Sequence, residues 1–185
     1  MKILGIDPGF ERLGVAILEK NKSGQKPFDK AQSKEQVIFS ECFQTSAKLE
    51  FSERLKLIGE EVKRVIKKYK PEVLAIETLF LTTNHKTVMH VAEARGVVIY
   101  EAVSAGLKIF EASPPQIKIA TTGYGKADKK QIIKMVKILV DIDPVRGREG
   151  SQRPSTSNGV DSNKKESDDE LDAIAIALTA FAHLK

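Results

Sequence analysis

Four acidic residues stand at places in this chain where a carboxylate can do chemistry. Asp7 closes the apolar run Ile3-Leu-Gly-Ile6 and is followed by Pro8-Gly9; Glu77 comes directly after Val73-Leu-Ala-Ile76; Asp169 and Asp172 lie three residues apart at the head of the last helical pattern. Residues i and i+3 of a helix face the same way, so 169 and 172 can point together. Carboxylates gathered in a small volume must protonate or open apart unless a cation compensates them. A hard divalent ion such as Mg2+ takes oxygen ligands and retains waters. A pair of such ions activates a water and stabilises the leaving oxygen of an in-line phosphodiester attack. Singly, Asp7 also reads as a turn residue of Asp-Pro-Gly, and Asp169 with Glu170 as helix-start acids favoured by the macrodipole. Glu77 resists such a reading, because a carboxylate following a fully apolar strand is costly unless paired or metal-bound. With Glu77 and Asp172 included, the site reading prevails.

The elements that must bring these acids together follow from periodicity. Lys2–Asp7, Leu13–Leu18 and Glu35–Phe43 are apolar runs set off by turns, and predict three strands in a meander. Phe51, Leu55, Ile58, Val62, Val65 and Tyr69 form one stripe at three- and four-residue steps, an amphipathic helix that Pro71 stops. Val73–Ile76 is apolar throughout, as a strand buried on both faces is. Residues 78–84 form a loop, followed by a second helix through Val88, Val91, Arg95, Val98 and Ala102 that ends near Gly106; its apolar stripe, broken by Arg95 and Gly96, is of the kind that usually packs in a core, and being apolar around much of its circumference it also suits burial against a partner. Lys108–Glu111 is a fifth strand, Pro114-Pro115 opens a short helix, residues 127–140 form another, and residues 169–183 the last. The order predicts an α/β fold, a mixed five-stranded sheet with helices on both faces and the first and fourth strands side by side at its centre. Asp7 and Glu77 would then share one sheet edge.

The chain has 185 residues, a size for a single domain, here 1–185. Two segments lack apolar residues to order them: 19–34, a solvated excursion, and 143–168, which predicts a mobile loop leading into Asp169. The lone cysteine, Cys42, forms no internal disulfide and reads as strand filler; with no signal-like or membrane-length apolar run, the expected setting is cytoplasmic, without a membrane partner. Lys and Arg number 30 against 25 Asp and Glu, a formal charge of +5. Its distribution is uneven. Residues 111–137 hold Lys118, Lys126, Lys129, Lys130, Lys134 and Lys137 against Glu111 and Asp128, a local +4 suited to backbone phosphates. Lys134 and Lys137 read as a solvated helix face. His85 and His90 read as a loop and a helix-face residue, without ligand spacing for zinc.

Taken in order, Ile6-Asp7-Pro-Gly9, Ala75-Ile-Glu77 with Leu79-Phe80, Ala92-Glu-Ala-Arg-Gly-Val97, Thr122-Gly-Tyr-Gly-Lys-Ala127 with Lys129, and Asp169-Glu-Leu-Asp172-Ala-Ile-Ala resemble the RuvC family of Holliday junction resolvases. The resemblance implies a ribonuclease H-like fold, a homodimer, and paired symmetric nicking of four-way junction DNA in recombination and repair. It implies that Asp7, Glu77, Asp169 and Asp172 hold Mg2+, two ions per site, in a role Mn2+ can fill. It also implies a branch-migration helicase complex as a further partner. Lys118 and Lys129 match lysines placed near the active site, with Lys126 and Lys130 beside them on the DNA. Phe80 matches an aromatic that stacks on bases at the junction centre. Asp168, next to Asp169, leaves the assignment between those two open. A junction binder of the same fold with dead chemistry is the competing reading; the intact acids, repulsive to phosphate without metal, oppose it.

Overall fold

The computed structural model describes residues 1–20, 35–79, 85–140 and 167–184. Strands β1 (Lys2–Asp7), β2 (Arg12–Lys20), β3 (Glu35–Gln44), β4 (Val73–Glu77) and β5 (Lys108–Ala112) form one sheet in the order β3-β2-β1-β4-β5. The first three strands are antiparallel neighbours, whereas β1–β4 and β4–β5 are parallel. The expected meander and the central pairing of the first and fourth strands are both present. Around the sheet lie α1 (Phe51–Tyr69), α2 (His85–Ser104), α3 (Pro114–Thr122), α4 (Lys129–Leu139) and α5 (Asp168–His183).

Boundaries shift where capping decides them. The helix expected from residue 127 starts at Lys129, because the Asp128 side chain accepts from the Gln131 N–H at 2.8 Å while the Asp128 N–H donates to Gln131 Oε1 at 2.9 Å. His85 opens α2 and is not a loop residue. Glu19 and Lys20, expected in the excursion, end β2 opposite Gln36 and Glu35. At the other segment Ser167 caps α5, accepting from the Glu170 N–H, and Asp168 opens the helix. The remainder of both segments lies outside the described residues.

Side chains alternate across the strands, and this alternation separates two cores. Leu4 and Ile6 of β1, Leu13, Val15 and Ile17 of β2, and Leu74 and Ile76 of β4 pack against Ile58, Val62 and Val65 of α1 and Ala94, Val98 and Ala102 of α2. Ile3, Ala16, Leu18, Val73 and Ala75 face the other way, onto α5. Large side chains fill the first layer; the second is built for close approach. A Cβ on Gly5 would fall on the carbonyl oxygen of Ala173, and α5 presents Ala173, Ala175, Ala177 and Ala180 as buried residues. The helix therefore lies close against the centre of the sheet, and whatever its first turn carries is brought to the end of β1.

Candidate active site

The same alternation aims the two strand acids. Asp7 follows Ile3 and Gly5 on the α5 face of β1, and Glu77 follows Val73 and Ala75 on the α5 face of β4. Parallel pairing of Ile6 with Ile76 puts Asp7 and Glu77 at one sheet edge. Backbone contacts fix both. Past Glu77, the Thr78 N–H donates to the Ala112 carbonyl at 2.9 Å, and Arg95 of α2 donates from Nε to the Glu77 carbonyl at 3.1 Å while its Nη2 pairs with Glu111. Past Asp7, the turn is held through Phe10, whose ring meets Phe51 and His90 edge-on and whose carbonyl accepts from Thr45 Oγ1 at 2.7 Å. His90 thus serves as packing between aromatic rings, stacked on Phe51 at 4.0 Å.

The first turn of α5 brings the other acids, but sends them to different partners. Asp172 lines a cleft of about 280 Å³ together with Asp7, Glu77, Lys118 and Lys129. Lys129 Nζ donates to Asp172 Oδ2 at 3.0 Å and lies 3.4 Å from Asp168 Oδ2. Asp169 is not part of the cleft lining. Its Oδ2 accepts from Arg12 Nε at 2.7 Å and Nη2 at 2.6 Å, and from Cys42 Sγ at 3.4 Å. The two adjacent acids 168 and 169 therefore divide between Lys129 and Arg12. Further contacts hold this turn as well: a Cβ on Gly14 would fall on the Asp169 carbonyl oxygen, and between side chains Ser40 Oγ donates to Glu170 Oε2 at 3.3 Å.

Electrostatics mark the cleft as a place that lacks positive charge. Burial, then the charges of Asp172, Glu77 and Asp169, push Asp7 up to about 7. Burial and Asp172 likewise raise Glu77. Burial raises Asp172 too, against the opposing pull of Lys129. Burial disfavours the Lys129 ammonium, but its bonds to Asp172 and Asp168 outweigh that and hold it charged. As the side chains stand, no three His, Cys, Asp or Glu among the described residues converge to grip a metal. The donor set nonetheless suits a hard divalent cation: the acids are oxygen donors, and Asp172 disfavours the ionised forms of both Asp7 and Glu77.

Of the basic residues expected at DNA, Lys118 and Lys129 line the cleft, whereas Lys126 and Lys130 are exposed outside it. Lys134 and Lys137 are exposed, as expected of a solvated face. Phe80 lies outside the described residues; Leu79, just before it, is 37% exposed. Sequence reasoning missed Arg12, Cys42 and Arg95 as parts of the site. One signal was available: Arg12 shares a strand face with Gly14, Ala16 and Leu18, and Cys42 pairs with Gly14 across β2 and β3, so both belong to the α5 side.

Residues 3–147 match the family model for crossover junction endodeoxyribonuclease RuvC. The curated RuvC of Thermosipho melanesiensis is 39% identical over 177 residues, 96% of this chain and 94% of that protein. That of Caldicellulosiruptor saccharolyticus is 41% identical over 146 residues, 78% of this chain and 82% of the other. Among solved structures, Thermus thermophilus RuvC superposes with a TM-score of 0.72 at 28% identity, covering 100% of this chain and 96% of that one. The T. thermophilus protein in complex with Holliday junction substrate gives 0.75 at 27%, with 99% and 94% covered. The yeast mitochondrial Holliday junction resolvase shares the fold at 14% identity, with a TM-score of 0.60 over 96% of this chain and 76% of that one. The family match over most of the chain, the full-length relatives and the shared ribonuclease H-like sheet lead to one conclusion: this chain belongs to the RuvC family of crossover junction endodeoxyribonucleases.

Proposed function

We propose that the chain resolves four-way DNA junctions by paired symmetric nicks, with Asp7, Glu77, Asp169 and Asp172 holding two Mg2+ ions in each active site. The enzyme is a divalent-metal-dependent nuclease. The observation that carries the assignment of residues is the convergence of Asp7, Glu77 and Asp172, each raised chiefly by burial, in one cleft that also holds Lys118 and Lys129. A structural binder gains nothing from three half-buried acids gathered next to phosphate; a hydrolase gains a cation site.

When bound, the ions supply an activated water and neutralise charge on the leaving oxygen. The protein supplies position. Asp7 and Glu77 are set by paired strands and cannot drift, which keeps the reacting phosphate in line. Lys129, which donates to Asp172, would be released if a cation held that carboxylate, and would then be placed to donate to a phosphoryl oxygen as charge builds there. Lys118 adds positive charge from the same cleft, Lys126 and Lys130 meet flanking phosphates, and Phe80, three residues past Glu77, stacks on a base at the junction centre.

A second copy of the chain completes the reading, since paired nicks need two centres. Met89, Tyr100 and Val103 of α2 are 60%, 69% and 57% exposed, and Glu93 and Gly96 fall between them at the same helical steps. Nothing lies within 4 Å of where a Cβ on Gly96 would be, so this face admits close approach of another helix. None of the described helices is long and apolar enough to cross a membrane, and a reducing cytoplasm is the setting in which Cys42 persists as a thiol.

The test is cleavage with Mg2+ of a mobile four-way junction and of linear duplex by wild-type protein and Asp7→Asn. Symmetric nicks on the junction alone, lost in the variant, support the proposal. Binding without cleavage by the wild type defeats it. Phe80→Ala should cut junctions more slowly with metal binding unchanged, and Tyr100→Asp should turn a dimer into a monomer by light scattering.

A further inference from the structure

Asp169 is the acid for which sequence and geometry part: it lies one helical turn from Asp172, yet its carboxylate is held away from the cleft. Three donors from two strands converge on a single oxygen, Oδ2: Arg12 Nε at 2.7 Å, Arg12 Nη2 at 2.6 Å and Cys42 Sγ at 3.4 Å. The backbone beneath lies close against Gly14, and the side chain of the neighbouring Glu170 accepts from Ser40. The helix turn is thus docked on the strand while the Asp169 carboxylate has a choice of partners. Arg12 is 51% exposed, and its guanidinium can leave the carboxylate for solvent or phosphate without crossing a packed layer.

We propose that Arg12 is a positioning residue that competes with the divalent cation for Asp169 and so sets the metal concentration at which the site fills. The physical basis is direct. A guanidinium and a divalent cation seek the same anionic oxygen, and a positive charge held beside a cation site lowers its affinity for cations. Lys129 stands in the same relation to Asp172 on the other side of the turn. Without metal, the two cations compensate the two helix acids separately; with metal, both are released toward the phosphates that arrive with DNA. The proposal rests on Asp169 being a metal ligand, as stated above.

Its test uses the full chain without DNA and Mn2+ alone as the probe, titrated by calorimetry and by thermal shift. Arg12→Gln should lower the half-saturating Mn2+ concentration by roughly two- to fivefold, the scale of a partly exposed ion pair. Arg12→Lys, which keeps the charge, should restore most of the wild-type value. Cys42→Ala, which removes the weakest donor, should shift it in the same direction as Arg12→Gln but less. Asp169→Asn should raise the half-saturating concentration and erase the effect of Arg12→Gln. An Arg12→Gln titration at or above the wild-type concentration, with Asp169→Asn still raising it, overturns the role of Arg12 and leaves Asp169 a ligand. No change on Asp169→Asn overturns both.

Discussion

Two pairs of acids meet at the end of β1, and they carry their charge in different ways. Asp7 and Glu77 belong to strands, and both sit above the ordinary carboxylate range, chiefly through burial. Asp169 and Asp172 belong to one helix turn, and each is bonded to a cation from another part of the chain, Arg12 in one case and Lys129 in the other. A strand acid set by a hydrogen-bonded ladder cannot move to find a partner; a helix acid with several side-chain atoms in reach can be met by one. The strand pair is thus the fixed demand for positive charge. The helix pair is the adjustable part, already compensated and able to exchange its partners. On the proposed reading, divalent metal would satisfy the first and displace the partners of the second.

The largest effect expected from disturbing this comparison is on the strand side. Asp7→Asn should reduce junction cleavage by on the order of 10³-fold, the scale of several kcal/mol of lost metal-borne stabilisation. In metal-free protein the same change should stabilise the fold. Because Asp7 is raised in the folded state to about 7, its proton-linked stability is complete below about pH 4 and is lost as pH rises through 7. The variant should therefore match wild type near pH 4 and exceed it by about 4 kcal/mol at pH 8. Urea melts at both pH values in EDTA decide this. A variant no more stable than wild type at pH 8 would show that the strand pair is compensated by other means.

On the helix side the backbone is the point of leverage. A methyl on Gly14 meets the Asp169 carbonyl oxygen, and no flexible side-chain end is there to yield, so the first turn of α5 must lift. Gly14→Ala should cost about 1–3 kcal/mol as overpacking does, and cleavage should fall about 10²-fold if a shift near 1 Å reaches the acids. Thermal melts read the first effect and single-turnover cleavage the second. Loss of stability with unaltered cleavage would mean that the acids tolerate a displaced helix, and that close docking of α5 matters to the fold alone.

These residues also show what could be read before any coordinates. The strand acids were legible because each directly follows a short apolar run and parallel pairing sets the ends of those runs together; Asp172 followed from helical spacing on the last segment. What was not legible is the partition of the helix acids. The contact of Arg12 with Asp169 joins residues 157 positions apart, and it exists only because β2 and β3 pair in the register that puts Cys42 opposite Gly14 and because glycines let α5 settle on the sheet. Composition sees Arg12 and Cys42 as an exposed cation and a strand residue. Local pattern could have flagged one thing, the recurrence of Gly5, Gly14, Ala16 and Ala75 on strands otherwise rich in Leu, Ile and Val, which marks a face made for close approach. Helix ends were likewise decided by side chains rather than periodicity, as at Asp128 and Ser167.

The smallest of these effects tests whether a strand acid depends on its backbone support. Arg95 is 17% exposed, donates to the Glu77 carbonyl and pairs with Glu111 at the neighbouring strand end, so it ties β4, β5 and α2 at the point where the catalytic edge begins. Because the ladder continues through Thr78 to Ala112 without it, Glu77 should keep its place when Arg95 is lost and only its precision should suffer. Arg95→Gln is expected to cost about 1–2 kcal/mol, the value of a hydrogen bond from a charged donor, and to slow cleavage about fivefold at saturating Mg2+. Glu111→Gln removes the ion pair but leaves the bond to the Glu77 carbonyl, so it should reproduce little of the cleavage defect. If the two variants slow cleavage equally, it is the charge balance at the strand ends, rather than the hold on the Glu77 backbone, that Arg95 provides.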